Sequence, residues 1–163
     1  SGGSQEGSAS VVYFLLIYLF SNLGAFSVVN IVSALSGKEK IDDYKGLYKT
    51  NPGLSWILTI SLFSLAGVPP TAGFFGKLFL LTGGAGAGNY ILIGYAAINM
   101  VISMYYYLRI VKAIFMDENE HPVPSISAGF IPGIAMIICL AGILLTGFSG
   151  SLYTYIHQLS NGI

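Results

Sequence analysis

From Val11 to Leu35 the chain runs for 25 residues without an Asp, Glu, Lys, Arg or His. A helix needs about 20 apolar residues to cross the hydrocarbon core of a bilayer, so this stretch is long enough to span once. In hydrocarbon every backbone polar group must be satisfied internally, and an apolar run of this length reads as a helix. Three more apolar stretches follow, so the fold class expected is an all-α integral membrane helical bundle with four spans, at about 11–36, 53–82, 90–116 and 128–156. The composition agrees: 9% of residues are charged, against about 25% in soluble domains. Seven Lys or Arg balance seven Asp or Glu, so no basic excess draws nucleic acid and the lipid bilayer is the expected surrounding.

The chain opens on Ser1-Gly2-Gly3-Ser4 and stays polar to near Ser10, with no initiating Met and no signal peptide. Such a start fits a loop inside a longer protein, and we expect residues 1–163 to be a single membrane region cut from a larger subunit. Between the spans lie a charged loop over Ser36–Asn51, a glycine-rich turn over Gly83–Asn89 and a polar loop after Asp117. Crossing at each span puts Lys38, Lys40, Lys45, Lys49, Arg109 and Lys112 on one side, and these are all but one of the seven basic residues. The positive-inside rule makes that side cytoplasmic, with both termini on the other.

The seventh basic residue is Lys77, within the second span. That span is interrupted at Gly67-Val68-Pro69-Pro70. Proline has no N–H, so the carbonyls of Leu65 and Ala66 lose their helical donors four residues on. The helix therefore breaks or kinks at Gly67, Pro69 and Pro70. One reading is a simple proline kink; the other is a discontinuous helix beside an ion site.

Lys77 sits seven residues beyond Pro70, roughly 10 Å along a helix. An ammonium near the bilayer centre costs about 2.5–3.5 kcal/mol even on the lenient insertion scale. Either its four-carbon stem snorkels to the interface, or it faces a hydrated, protein-lined cavity and exchanges a proton there. Polar residues at helical spacing could line such a path. Tyr18, Asn22, Asn30 and Ser33 share one face of the first span, and Asn99, Ser103 and Tyr106 share one face of the third. The same stripes also fit ordinary interhelical hydrogen bonds. Gly24, Ala25 and Ser27, and later Gly142, Thr146 and Gly150, read as small residues that let helices approach.

Chemistry beyond proton exchange finds no support. Cys139 is the single cysteine, and His121 and His157 stand far apart, so neither an iron–sulfur nor a zinc site can be assembled from this chain. No nucleophile–base pair, phosphate loop or dinucleotide fingerprint is present. No cofactor is expected in this chain.

Four stretches resemble the antiporter-like subunits of respiratory complex I, the bacterial NADH:quinone oxidoreductase, with the C-terminal part of its subunit N group nearest. They are Asn22-Leu23-Gly24-Ala25-Phe26, Ile41-Asp42-Asp43-Tyr44-Lys45-Gly46-Leu47, Ser64-Leu65-Ala66-Gly67-Val68-Pro69-Pro70-Thr71-Ala72-Gly73-Phe74-Phe75-Gly76-Lys77, and Ser103-Met104-Tyr105-Tyr106-Tyr107-Leu108-Arg109. The resemblance implies that Gly67–Pro70 divides a discontinuous helix in the second of two inverted repeats, and that Lys77 is the proton-transfer lysine of that repeat. Asn99, Ser103, Tyr106, Asn22 and Asn30 become possible path-lining residues. NADH, FMN, iron–sulfur clusters and quinone are implied in other subunits, and the partners implied are the other membrane subunits of the complex, including antiporter-like paralogues. The location implied is the bacterial inner (plasma) membrane. A complete subunit of this kind has more spans than these four, so the piece alone is not expected to conduct protons. Cation/proton antiporter and membrane-bound hydrogenase subunits share the interrupted helix, and a structural membrane scaffold without a proton path is the reading from a different class.

Overall fold

The computed structural model of the chain describes residues 2–69, 71–86, 88, 90–127 and 129–148. Pro70, Gly150, His157 and the last part of the expected fourth span lie outside the described residues. All regular structure among the described residues is helical: α1 (Gly2–Ser36), a 3-10 turn (Ile41–Tyr44), α2 (Leu47–Thr50), α3 (Pro52–Ala66), α4 (Ala72–Gly86), α5 (Tyr90–Phe115) and α6 (Phe130–Phe148). Two stretches, Val11–Ser36 and Tyr90–Phe115, are helices long and apolar enough to cross a membrane; Pro52–Ala66 and Phe130–Thr146 are shorter apolar helices.

Helix boundaries follow proline more closely than they follow polarity or glycine. α1 begins at Gly2, within the polar lead-in, because no proline interrupts residues 2–10 and a helix nucleated in an apolar run gains a hydrogen bond per residue as it extends. α4 likewise continues to Gly86, into the expected turn at 83–89. Glycine costs a helix about 1 kcal/mol but removes no donor, and the turn waits for Gly88, whose φ of 75° favours glycine. At α3 the sequence Asn51-Pro52 places proline at the first helical position, where its missing N–H has no helical partner to lose.

α1 is the hub, packing against α3, α4 and α6. Its buried side chains, Tyr13, Ile17, Ser21, Ala25, Val28 and Val32, recur at intervals of three or four and so form one stripe. α3 is enclosed further, with Leu54, Ser55, Leu58, Thr59, Ser61, Leu62 and Ser64 all buried, because α1, α2, α4, α5 and α6 all pack against it. The main core joins Val28 and Val32 of α1, Leu58 and Leu62 of α3, Ile114 of α5, Met136 of α6, and Tyr44 and Leu47 of the loop end. α5 and α6 turn large apolar side chains outward, among them Ile91, Leu92, Val101, Ile131 and Ile137.

The loop end is pinned by polar contacts. The Asn51 side chain donates to Pro124 O at 3.0 Å and accepts from the Ile126 N–H at 2.7 Å. Gly46, at φ 68°, donates its N–H to Ala113 O at 3.0 Å, so the first loop is tied to the end of α5.

Candidate functional site

The backbone leaves the helix after Ala66 and re-enters it at Ala72. The last four carbonyls of a helix have no partner within it, and here each finds one. Val68 N–H donates to Phe63 O at 3.0 Å and Gly67 N–H to Ser64 O at 3.1 Å, the paired bonds of a Schellman ending with glycine in the left-handed region; Gly67 has φ 78°. The Lys77 Nζ donates to Leu65 O at 2.7 Å and to Ala66 O at 3.1 Å. These are the carbonyls whose helical donors would have come from Pro69 and Pro70. The ammonium thus replaces two amide donors that the prolines lack, and it stands at the negative end of the α3 dipole, where a cation is stabilised.

Close packing at the break holds this arrangement. A Cβ on Gly67 would lie 3.0 Å from Lys77 Cδ, and a Cβ on Gly73 would lie 1.7 Å from Ser64 O. Glycine at 73 therefore lets the first turn of α4 rest directly on the α3 backbone. Ser21 of α1 donates its hydroxyl to Ser64 Oγ at 2.7 Å in a buried contact. Thr71 closes the link between the helices, its hydroxyl donating to Val68 O at 2.7 Å. Pro69 is exposed.

Lys77 is half-buried and lines a cavity of about 270 Å³ with Phe14, Leu81, Asn99, Met100 and Ser103. The structure therefore brings two of the five residues named as path-lining, Asn99 and Ser103, to the same cavity as Lys77. Both also bond back to their own helix, Asn99 Nδ2 to Tyr95 O at 3.0 Å and Ser103 Oγ to Asn99 O at 2.7 Å. Tyr106 is 57% exposed and is not among the residues lining it. On α1, Asn30 is exposed, Ser33 donates to Glu39 Oε1 at 2.7 Å, and Asn22 lines a different cavity. What α1 supplies beside Lys77 is Phe14.

The carbonyl partners of Lys77 were half legible: the proline spacing marks Leu65 and Ala66 as deprived of donors, but nothing in the linear order says that a side chain 12 and 11 residues on supplies them. One further polar group has no sequence signal beyond its place in the Ile41–Leu47 stretch. Tyr44 is 5% exposed, its hydroxyl has no hydrogen-bond partner among the described residues, and burial, then the nearby carboxylates of Asp43 and Glu39, push its pKa up to about 12. At the surface of the same loop end, the Lys45 ammonium holds the Asp42 carboxyl below the usual range, and Lys49 does the same for Glu118. Cys139 is buried, and a single thiol does not fit the ligand set of an iron–sulfur cluster. No group of three or more His, Cys, Asp or Glu among the described residues could hold a metal ion.

A family model described as NADH:quinone oxidoreductase/Mrp antiporter, TM, matches residues 2–103. The NADH-quinone oxidoreductase subunit N of Phocaeicola vulgatus is 41% identical over 152 residues, covering 93% of this chain and 32% of the relative. That of Azobacteroides pseudotrichonymphae is 41% identical over 163 residues, covering 99% of this chain and 34% of the relative. The NAD(P)H-quinone oxidoreductase subunit 2 of Acaryochloris marina is 48% identical over 118 residues, covering 72% of this chain and 23% of the relative. The chain thus spans about a third or less of the length of these relatives. In fold it is similar to a chain of respiratory complex I from Thermus thermophilus with bound NADH, at a TM-score of 0.83 and 24% identity, over 98% of this chain and 34% of that one.

Proposed function

The chain belongs to the NADH:quinone oxidoreductase/Mrp antiporter transmembrane family, and from that premise we propose that it is part of a proton-translocating membrane subunit of NADH:quinone oxidoreductase in which Lys77 carries the proton. The observation that carries this reading is the position of the Lys77 ammonium, on the two carbonyls freed by the helix break and beside a cavity shared with Asn99 and Ser103. α3 and α4 are then the halves of one interrupted span, the second of four.

The chemistry is that of a reversible acid. Protonated, Lys77 donates to Leu65 O and Ala66 O and draws support from the helix dipole. Two of its three N–H bonds are on the carbonyls, so the third can pass a proton to water, and the cavity beside Asn99 and Ser103 is where that water would stand. A hydrogen bond from a charged donor contributes about 1.5–3 kcal/mol, so proton affinity at Lys77 and the geometry of the break are coupled: whatever moves α4 against α3 shifts the proton. Nζ directed at the end of α3 favours this over snorkelling, which would send it toward a headgroup. A single cysteine cannot supply the thiolate set of an iron–sulfur cluster, and this reading assigns NADH, flavin, iron–sulfur clusters and quinone to partner subunits. In this reading the basic loop end, with Lys38, Lys40, Lys45, Lys49, Arg109 and Lys112, faces the cytoplasmic side of a bacterial plasma membrane, as the positive-inside rule favours.

The test is Lys77→Met in the full-length parent subunit, with proton pumping measured in vesicles per NADH oxidised. The expected result is an assembled complex that has lost most of its pumping. Wild-type pumping in an assembled variant would sink the carrier role and favour a scaffold whose polar residues only hold helices together.

A further inference from the structure

A groove of about 380 Å³ runs between α3 and α5, lined by Trp56, Thr59 and Phe63 of the one and by Leu108, Val111 and Lys112 of the other. It shares no lining residue with the cavity beside Lys77. It reaches the outside of the bundle, where Trp56 is 51% exposed.

The groups along this groove are graded. α3 begins at Pro52 and α5 ends at Phe115, so both of these helix ends lie at the basic loop end. Trp56 packs on Phe115 with ring centroids 5.3 Å apart and on Tyr48 at 6.4 Å, an aromatic group of the kind that sits at headgroup level. Lys112 is the charged residue of the lining. Its ammonium stands 3.5 Å from Asp117 Oδ1, longer than a charge-assisted hydrogen bond of about 2.7–2.9 Å, so its donors stay open to a second anion. Thr59 lies one turn deeper than Trp56. It is 2% exposed, and its hydroxyl has no hydrogen-bond partner among the described residues. Rotation about its Cα–Cβ bond exchanges that hydroxyl with the methyl group. Deeper still the wall is apolar, with Phe63 and Leu108.

A cation at the rim, a hydroxyl one turn below it and hydrocarbon beneath follow the order of phosphate, ester and acyl chain in a phospholipid. We propose that the groove holds one anionic phospholipid of the bilayer, its phosphate on the Lys112 ammonium, an ester carbonyl on the Thr59 hydroxyl and an acyl chain along Phe63, Leu108 and Val111. A zwitterionic headgroup brings its own cation, whereas an anionic one leaves its charge to the lysine. One lysine facing an anionic membrane surface favours such a lipid by about fivefold. Residues 91–101 of α5 are the contrast. They expose Ile91, Leu92, Ile98 and Val101 and carry no charge, so lipid there is ordinary solvent. The site rests on the chain lying in a bilayer and not on Lys77 carrying a proton.

The experiment places the full-length parent subunit, within its assembled membrane complex, in phosphatidylcholine vesicles containing a minor fraction of phosphatidylglycerol with a diazirine on one acyl chain. After illumination, labelling of peptides over 53–66 and 108–116 is divided by labelling over 91–101. The expected wild-type ratio is about five or more. Lys112→Gln brings it near one, and Lys112→Arg retains it. Thr59→Val keeps the shape without the hydroxyl and lowers the ratio by about fivefold, the worth of one hydrogen bond, whereas Thr59→Ser retains it. Lys77→Met leaves it unchanged, which separates this site from the carrier role. A wild-type ratio near one, as would follow from ordinary solvation or from a neighbouring subunit covering the groove, would overturn the proposal. So would an unchanged ratio in both Lys112→Gln and Thr59→Val.

Discussion

On the reading proposed above, the Lys77 ammonium has two tasks that pull against each other. Capping Leu65 and Ala66 favours the proton staying on, whereas carrying it requires that it come off. Arginine separates the tasks. Its guanidinium can donate to the same carbonyls, but it stays protonated at any accessible pH. Lys77→Arg is therefore expected to assemble and unfold near the wild-type temperature while pumping is lost. Lys77→Met loses both tasks and leaves two carbonyls short of donors, at about 1–3 kcal/mol each, so its melting temperature in the assembled complex should fall below that of the arginine variant. Equal pumping by Lys77→Arg and wild type would show that release of this proton is not required.

At the scale of elements, the α3–α4 junction is built from absences: no N–H at Pro69 and no side chain at Gly67 and Gly73. Gly73→Ala forces a Cβ to 1.7 Å from Ser64 O and 2.7 Å from Ser64 C, and both atoms are backbone that cannot swing aside. Overpacking of a tight contact costs about 1–3 kcal/mol and occasionally more; we expect the upper part of that range or failure to assemble. Gly53→Ala meets nothing within 4 Å and is the neutral control, with the assembled fraction on native gels as the measurement. The interruption itself was legible, because proline removes a donor wherever it sits. The mate of the freed carbonyls was not, because the packing of α4 against the end of α3 sets Lys77 there without leaving any periodicity in the sequence. The polar stripe of α1 shows the complement: helical spacing groups its residues, but which neighbour they meet depends on how α1 turns in the bundle.

Across the whole molecule, the loop end is held by Asn51 more than by its ion pairs. Lys49 and Glu118, 2.7 Å apart, have side chains 66% and 84% exposed, and exposed pairs contribute about 0–1 kcal/mol. Asn51 is 5% exposed and bonds both Pro124 and Ile126. Asn51→Ala should raise amide exchange across residues 122–127 by a cost of about 1–3 kcal/mol, whereas Lys49→Ala leaves it nearly unchanged. The four-span reading has its own check. Cysteines placed at Lys45 and Gly86 are expected to react with an impermeant reagent from opposite faces of the membrane, and labelling from one face would overturn it.

Sequence alone determined what is set by local chemistry: apolar runs require helices in lipid, prolines deprive named carbonyls, and one charge falls inside an apolar run. None of these needs knowledge of a neighbour. Tertiary structure decided what depends on contact between segments distant in sequence: that Asn99 and Ser103 share a cavity with Lys77 while Asn22 faces another, and that Gly73 rests on Ser64. It also decided the partner of the lone charge. Helical spacing fixes the face a residue occupies, but the rotation of each helix in the bundle fixes what that face touches, and that is set by the packing of all the helices together.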